Sequence, residues 1–220
     1  MRIGIIGAGH IGGTLTRRLT QLGHTVYVAN SRGPETLADL KDETGAIPVT
    51  PVDAAHRGEL VVVTIPMKNV TQLRGDLFAG VPETVPVVDT CNYYPKRDGR
   101  IPAIEDGLPE SRWVERQLGH SVVKAFNNIY AQHLMERGRP AGDPNRIALP
   151  VAGDIPAAKR LVMDLVDQLG FEPVDAGGLD DSWRQQPGTP VYATDGNAAK
   201  VRQSLAQANP ARQAEWRAAS

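Results

Sequence analysis

The stretch Ile3-Gly4-Ile5-Ile6-Gly7-Ala8-Gly9-His10-Ile11-Gly12 decides the fold. Residues 3–6 are an apolar run that predicts a buried strand, and glycines with the spacing G-x-G-x-x-G follow at once. Leu15, Leu19 and Leu22 then recur at helical spacing. Three glycines at this spacing are a weak signal alone, but a strand before them and a helix after them form the context of a dinucleotide-binding turn. The sequence therefore predicts such a turn after its first strand.

The residues of this turn have separate predicted roles. Gly7 permits the tight turn, Gly9 lets the backbone approach a pyrophosphate, and Gly12 allows the helix to pack close to the strand. The helix N-terminus offers free N–H groups and a partial positive charge to the phosphates. Ile11 is expected beside the cofactor, and His10 either beside the ribose and nicotinamide or facing solvent. A purely structural turn is the less favoured interpretation.

Downstream, apolar runs alternate with helical segments. Residues 60–65 form a run without polar alternation, which is typical of a parallel strand covered on both faces. Similar runs lie at residues 25–29, 46–49, 85–88 and 121–125. The alternation predicts an α/β protein with a Rossmann-type, doubly wound, mostly parallel sheet. We expect residues 1–145 to form the dinucleotide-binding domain and residues 146–220 a small C-terminal extension on the same sheet, ending in a helix.

Composition limits the function classes. The chain has 220 residues, with 24 Lys plus Arg against 25 Asp plus Glu, so no broad positive field collects nucleic acid or anionic lipid. No apolar run approaches the roughly 20 residues that cross a bilayer, so no membrane segment is expected. The single cysteine, Cys91, excludes an internal disulfide, is expected to be buried, and favours a reducing, cytoplasmic location. The five histidines lack metal-binding spacing, so no metal is expected.

The end of the second predicted strand distinguishes between dinucleotides. A carboxylate there would bind the 2′-hydroxyl of NAD and repel the 2′-phosphate of NADP. This chain instead has Asn30, Ser31 and Arg32, whose amide, hydroxyl and guanidinium groups are donors suited to a phosphate dianion. NADP(H) is therefore the predicted cofactor. A solvated polar turn is the other interpretation.

Three further strand ends should line the crevice, because ligands of open α/β sheets bind beyond the carboxyl ends of the strands. These ends are Thr64-Ile65-Pro66-Met67, Thr90-Cys91-Asn92 and Asn127-Asn128-Ile129. They are apolar or neutral and polar, which suits a flat conjugated ring, and they offer no evident general acid or base. We therefore predict no catalytic side chain. Helix capping is an equally good interpretation of Asn92, Asn127 and Asn128.

These motifs resemble those of the NADP oxidoreductases that reduce or oxidise coenzyme F420, a deazaflavin. The resemblance spans most of the chain, beginning with the glycine motif. The other segments that carry it are Asn30-Ser31-Arg32-Gly33-Pro34, Thr64-Ile65-Pro66, Val123-Lys124-Ala125-Phe126-Asn127, Val151-Ala152-Gly153-Asp154 and Val174-Asp175-Ala176-Gly177. The set in this order is much more specific than the glycine motif alone.

The resemblance implies a role for each matching position. The glycine loop would hold the pyrophosphate, and Ser31 and Arg32 the 2′-phosphate. The strand end 64–66 would adjoin the cofactor, and the segment 127–129 would form the acceptor pocket. It also implies hydride transfer between NADPH and a small-molecule acceptor, either F420, a flavin such as FMN or FAD, or another planar ring. Residues 183–192, aromatic and rich in proline, are expected to cover that ring.

Two other functions stay open. Short hydroxy-acid and imine dehydrogenases share the glycine loop, but they usually add a long helical C-terminal domain, whereas only 75 residues follow position 145 here. A non-catalytic NADP sensor is the third interpretation. A symmetric homodimer is expected only as the commonest oligomer of soluble proteins.

Overall fold

The computed structural model describes residues 1–218, and apolar residues predominate in the strands of its main sheet. The strands are β1 (Arg2–Ile6), β2 (Thr25–Ala29), β3 (Ile47–Pro48), β4 (Leu60–Val63), β5 (Val87–Asp89), β6 (Val122–Lys124), β7 (Ala148–Val151) and β8 (Glu172–Asp175). The helices are α1 (His10–Gln21), α2 (Ala38–Thr44), α3 (Pro51–Arg57), α4 (Met67–Val70), α5 (Pro95–Asp98), α6 (Pro102–Glu105), α7 (Glu110–Leu118), α8 (Ala131–Glu136), α9 (Pro156–Gln168) and α10 (Ala198–Ala206). Short 3₁₀ turns span Pro34–Leu37, Leu179–Gln185 and Ala214–Trp216.

The first six strands form one parallel sheet in the order β3-β2-β1-β4-β5-β6. The chain moves outward from β1 to β3, crosses back to β4 and continues to β6, so the strand order reverses between β1 and β4. This is the switch point at which ligands of doubly wound sheets bind. The predicted Rossmann-type fold is confirmed.

Burial on both faces of β4 explains its unalternating sequence. Leu60 and Val62 belong to the hydrophobic core on one face of the sheet, and Val61 and Val63 to the core on the other. All four are fully buried. Since successive side chains of a strand point to opposite faces, every position of a doubly covered strand must be apolar.

Helix α1 buries most of its predicted stripe. Leu15 and Leu19 are fully buried against the sheet, whereas Leu22 lies just past the helix end and is 43% exposed. Gly23, with φ of +81°, then reverses the chain. The helix therefore packs through its first three turns, which fixes its N-terminus against the glycine turn.

The C-terminal extension differs from the expectation that it continues the main sheet. β7 and β8 pair with each other in a separate two-stranded parallel sheet. An isolated antiparallel bridge joins this pair to the edge of β6, where Lys124 N donates to Ala152 O at 2.8 Å and Ala152 N donates to Lys124 O at 3.1 Å. Because β7 runs against β6, it cannot extend the parallel ladder. The division at residue 145 stays a prediction.

The predicted terminal helix is realised as α10, which ends well before the chain does. Pro210 lacks the N–H that a continuing helix needs, so residues 209–218 are irregular apart from one 3₁₀ turn. Residues 219 and 220, which the predicted extension includes, lie outside the described residues. None of the described helices has the length and apolar character needed to span a bilayer.

Candidate nucleotide-binding site

The three glycines of the turn have three different environments. Gly7 has a φ of +117°, and a Cβ on it would lie 2.1 Å from the carbonyl oxygen of Thr64. A Cβ on Gly12 would lie 1.9 Å from the carbonyl oxygen of Gly7. By contrast, a Cβ on Gly9 would meet none of the described atoms within 4 Å. Gly7 and Gly12 are thus required for the turn and the close helix packing, while Gly9 keeps the space above the turn clear.

The N-terminus of α1 opens onto that space. Gly9 is its N-cap and supplies no side chain, and the first turn carries no acidic residue. Gly13 N is bonded back to Gly9 O, so the N–H groups ahead of it have no partner within the helix. His10 is exposed and Ile11 is half-buried. This arrangement, a bare N-terminus of a 12-residue helix, attracts an anion such as a pyrophosphate.

A cleft of about 510 Å³ adjoins the turn on the β2 side. It brings together eight predicted site residues, namely Gly7, Gly9, Asn30, Ser31, Arg32, Thr64, Ile65 and Pro66. Its remaining wall comes mainly from α3 and the segment after α4, including Val52, Leu73, Arg74 and Leu77. A neighbouring, more open cleft lies between α1, α2 and α8. Arg32 lines both clefts, whereas His10 lines only the second. The cleft has the apolar walls and polar end that an adenosine phosphate requires.

The turn after β2 is held by its own asparagine. Asn30 Oδ1 accepts from Arg32 N at 2.9 Å, and Asn30 Nδ2 donates to Thr36 Oγ1 at 2.8 Å. Both amide groups are therefore engaged within the turn, so Asn30 shapes the loop. The Arg32 side chain is exposed and forms no ion pair within residues 1–218. Ser31 and Arg32 remain the groups of this turn that are available to a phosphate.

Asn92 and Asn127 lie together at the ends of β5 and β6. Asn92 Nδ2 donates to Asn127 O at 2.8 Å, and Asn127 Nδ2 donates to Asn92 Oδ1 at 3.1 Å. Gln185 Nε2 donates to Asn127 Oδ1 at 3.0 Å, which ties the pair to the segment above it. The capping interpretation is wrong, since the N-caps of α5 and α8 are Tyr94 and Tyr130.

Asn128 is buried without side-chain partners. It is 3% exposed, and neither Nδ2 nor Oδ1 has a hydrogen-bond partner among the described residues. Its carbonyl oxygen accepts from Ala193 N at 3.0 Å, and Ala193 has a left-handed φ of +53°. Residues 185–193 thus cover the ends of β5 and β6, and the three asparagines do not line the 510 Å³ cleft.

Sequence reasoning missed a buried ion pair beneath these strand ends. Lys124 Nζ lies 3.0 Å from Asp89 Oδ2, and both side chains are fully buried. Ser111 Oγ donates to Asp89 Oδ2 at 2.8 Å, and Cys91 N donates to Asp89 Oδ1 at 2.8 Å. Burial raises the pKa of Cys91 well above its ordinary value, and the prediction that this cysteine is buried is confirmed. The signal was present: Asp89 and Lys124 each end an apolar run, and they are register partners.

A hydroxyl pair beside the same strand ends was also missed. The hydroxyl groups of Tyr94 and Tyr192 are hydrogen-bonded to each other across 98 residues of sequence. Trp216 packs on both, with ring centroids 6.0 Å from Tyr94 and 6.2 Å from Tyr192. Burial raises the pKa of the Tyr192 hydroxyl far above its ordinary value, so this group stays protonated. No local sequence pattern links three aromatic residues this far apart.

Comparison with known proteins places these observations in a family. Residues 2–93 match the family model described as NADP oxidoreductase, coenzyme F420-dependent. The solved structure of the hypothetical protein SMa0349 from Sinorhizobium meliloti is 30% identical, with a TM-score of 0.75, over 90% of this chain and 95% of that one. Over residues 2–93 the chain belongs to the F420-dependent NADP oxidoreductase family. The resemblance and the enzyme class predicted from the sequence are thereby confirmed.

Two further proteins are similar to this chain, and the description of the first names the same activity. A protein from Arthrobacter sp. FB24, described as a candidate F420-dependent NADP-reductase, is 25% identical with a TM-score of 0.65, over 80% of this chain and 85% of that one. Escherichia coli (strain K12) YjhV is 50% identical over 62 residues, which are 28% of this chain and 45% of YjhV. The chain thus spans less than half the length of that curated relative.

Imine reductases share the fold of this chain at lower identity. The enzyme from Myxococcus stipitatus in complex with NADP+ is 22% identical with a TM-score of 0.58, and the match covers 81% of this chain but 56% of the imine reductase. This likeness shows the fold alone.

Proposed function

We propose that this chain binds NADPH in the 510 Å³ cleft and transfers a hydride between it and a planar flavin or deazaflavin acceptor. Family membership supports the NADP-dependent oxidoreductase class. The acceptor is inferred from the chemistry of the strand ends. Small-molecule substrates are typical of the family, and we propose that the substrate here is a planar flavin or deazaflavin.

The residues present fit the cofactor. Gly9 leaves open the space that a pyrophosphate would occupy, and the N–H groups of α1 point to it. Ser31 and Arg32 offer donors to a 2′-phosphate, and no carboxylate stands at the end of β2 to repel it. When bound, NADPH supplies the hydride from C4 of its nicotinamide ring.

The observation that carries the acceptor proposal is the burial of the charged groups near the strand ends. Asp89 and Lys124 are fully buried and paired with each other. Glu110, also fully buried, pairs with Arg212 at 2.6 Å. Desolvation raises the pKa of Glu110, but its contacts are all internal. Because these groups are engaged with internal partners, the reaction that fits is one in which hydride transfer to a planar ring needs mainly orientation.

The chain's own contribution is then positioning and the exclusion of water. The strand ends at Ile65 and Pro66 supply apolar surface beside the cleft. Residues 185–193 lie over Asn127 and Asn128, with Gln185 and Val191 fully buried. We infer that this segment forms the roof of the acceptor site.

The test is NADPH oxidation monitored by absorbance at 340 nm with a panel of acceptors. FMN, FAD and a deazaflavin are compared with small carbonyl compounds and cyclic imines. The proposal predicts acceleration by at least one of the three ring acceptors. Acceleration only by carbonyl compounds or imines would contradict it, and tight NADPH binding without turnover would indicate a sensor.

A second candidate function is reduction of a carbonyl or imine, which requires a proton donor besides the hydride. The hydroxyl pair of Tyr94 and Tyr192 is the observation that favours it, because a tyrosine hydroxyl beside the strand ends is a group that could supply that proton. Tyr192→Phe should then abolish carbonyl or imine turnover but leave flavin reduction intact.

We also infer the cellular compartment and the oligomeric state of the protein. A buried, unpaired cysteine and a soluble class of enzyme favour the cytoplasm. A homodimer remains a prediction, which sedimentation velocity of the purified protein would check.

A further inference from the structure

We propose that Arg74, which lines the same cleft as Arg32 and is paired with Asp76, is a second arginine for the 2′-phosphate. The inference rests on the proposed NADPH site and specifies its selectivity. Both arginines line the same 510 Å³ cleft, one from the turn after β2 and the other from the segment after α4. A phosphate dianion placed between them would receive charge-assisted hydrogen bonds from two sides.

The backbone that carries Arg74 is fixed. Leu77 N donates to Arg74 O at 3.0 Å, and Leu77 and Phe78 are buried in the core beneath β4. His56, from α3, makes a 3.2 Å hydrogen bond to Leu77 O. The position of Arg74 relative to the cleft is therefore set by core packing, although the residue lies outside regular secondary structure.

The side chain, by contrast, is held only by a surface ion pair. Arg74 Nε donates to Asp76 Oδ1 at 2.9 Å and Arg74 Nη2 donates to Asp76 Oδ2 at 2.8 Å. The two side chains are 70% and 60% exposed. Exposed pairs of this kind contribute little to stability, because water and salt screen them. A phosphate carrying about two negative charges can therefore replace a carboxylate carrying one as the partner of Arg74.

Through its pairing with Arg74, Asp76 contributes to the selectivity for NADPH over NADH. While it holds Arg74, a dinucleotide without the 2′-phosphate gains nothing by breaking the pair. A dinucleotide with the 2′-phosphate offers Arg74 a stronger partner. The apolar wall of the cleft, with Val52 and Leu73, would pack against the adenosine moiety that both dinucleotides share, so it would not discriminate between them.

Calorimetric titration of purified variants with NADPH and with NADH tests the proposal. Arg74→Ala should weaken NADPH binding about 5- to 20-fold, the loss expected for a partly solvated charge-assisted contact, and leave NADH binding within about twofold. Arg57→Ala is the matched control, since Arg57 is an exposed arginine paired with Asp53 at 3.1 Å but does not line the cleft. Its effect on both dinucleotides should be within about twofold, because exposed charges are screened.

Asp76→Asn provides the opposite change. It frees Arg74 from its partner, so NADPH should bind about two- to fivefold more tightly, with NADH unchanged. Equal losses for NADPH and NADH in Arg74→Ala would overturn the proposal, as would no loss at all or weaker NADPH binding in Asp76→Asn. These outcomes differ from failure of the proposed function, in which the unaltered protein would bind neither dinucleotide.

Discussion

At the scale of single residues, Arg32 is the charged group of the turn after β2 that is available to the cofactor, beside the Ser31 hydroxyl, since Asn30 is engaged within the loop. Arg32→Ala should weaken NADPH binding by about 1 to 3 kcal/mol, the range for a lost charge-assisted hydrogen bond. NADH binding should hardly change, because NADH lacks the phosphate. Isothermal titration calorimetry measures both. Equal losses for the two dinucleotides would show that Arg32 is structural.

The glycines of the turn allow a sharper residue-scale test, because their surroundings differ. Gly9→Ala should leave the melting temperature within about 2 °C, since a Cβ there meets no described atom within 4 Å. The same Cβ would project into the proposed pyrophosphate space and weaken NADPH binding at least about tenfold. Thermal unfolding followed by circular dichroism, together with calorimetry, separates the two effects.

Gly12→Ala is the companion variant, in which we expect the loss in the stability of the fold. Its Cβ would lie 1.9 Å from the backbone oxygen of Gly7, so α1 must move away from β1. We expect a destabilisation of about 2 kcal/mol or more, as for other overpacked sites. A Gly12→Ala protein as stable as the unaltered one would contradict the close helix packing described here.

At the scale of elements, the junction of β5 and β6 depends on one buried ion pair. Lys124→Met leaves Asp89 buried and unpaired, and should destabilise the fold by about 3 to 5 kcal/mol in urea unfolding. The double variant Asp89→Leu/Lys124→Met should be less destabilised than either single one, because it leaves no unpaired charge. If the double variant lost as much free energy of unfolding as the two single variants together, the two charges would not compensate each other.

The elements around the glycine turn could be predicted from sequence because each has a local cause. The unalternating run of β4, the helical spacing of Leu15 and Leu19, and the glycine spacing all act within about twenty residues. The partners of Asn127 and Tyr94 could not be predicted, since Gln185 and Tyr192 are 58 and 98 residues away. Their contacts depend on how the C-terminal segment crosses the sheet edge, which no local pattern encodes.

The antiparallel approach of β7 to β6 could not be predicted either, because it also depends on contacts between distant segments. A sequence run indicates a strand but not its direction, and Ala152 meets Lys124 only because of the long connection through α8. The two halves of the candidate site differ in the same way. Its phosphate-binding half is local and could be predicted, whereas its acceptor half is assembled from distant segments.

At the scale of the whole molecule, the C-terminal extension shares the main core. Leu149, Val151, Val162 and Leu165 lie in the same hydrophobic cluster as Ile3, on the face of the sheet that carries α1. A chain truncated after residue 145 would expose that face. We therefore expect residues 1–145 alone to lack a cooperative thermal transition by circular dichroism. A cooperative transition with retained NADPH binding would instead establish an independent domain.

The central claim is that the glycine turn and the arginine-bearing turn after β2 together bind NADPH. Calorimetric titration of the unaltered protein with NADPH and NADH tests it most directly. We expect saturable NADPH binding at the glycine turn and at least about tenfold weaker binding of NADH, equivalent to one lost charge-assisted contact. Absence of NADPH binding at millimolar concentration, or equal affinity for NADH, would contradict it.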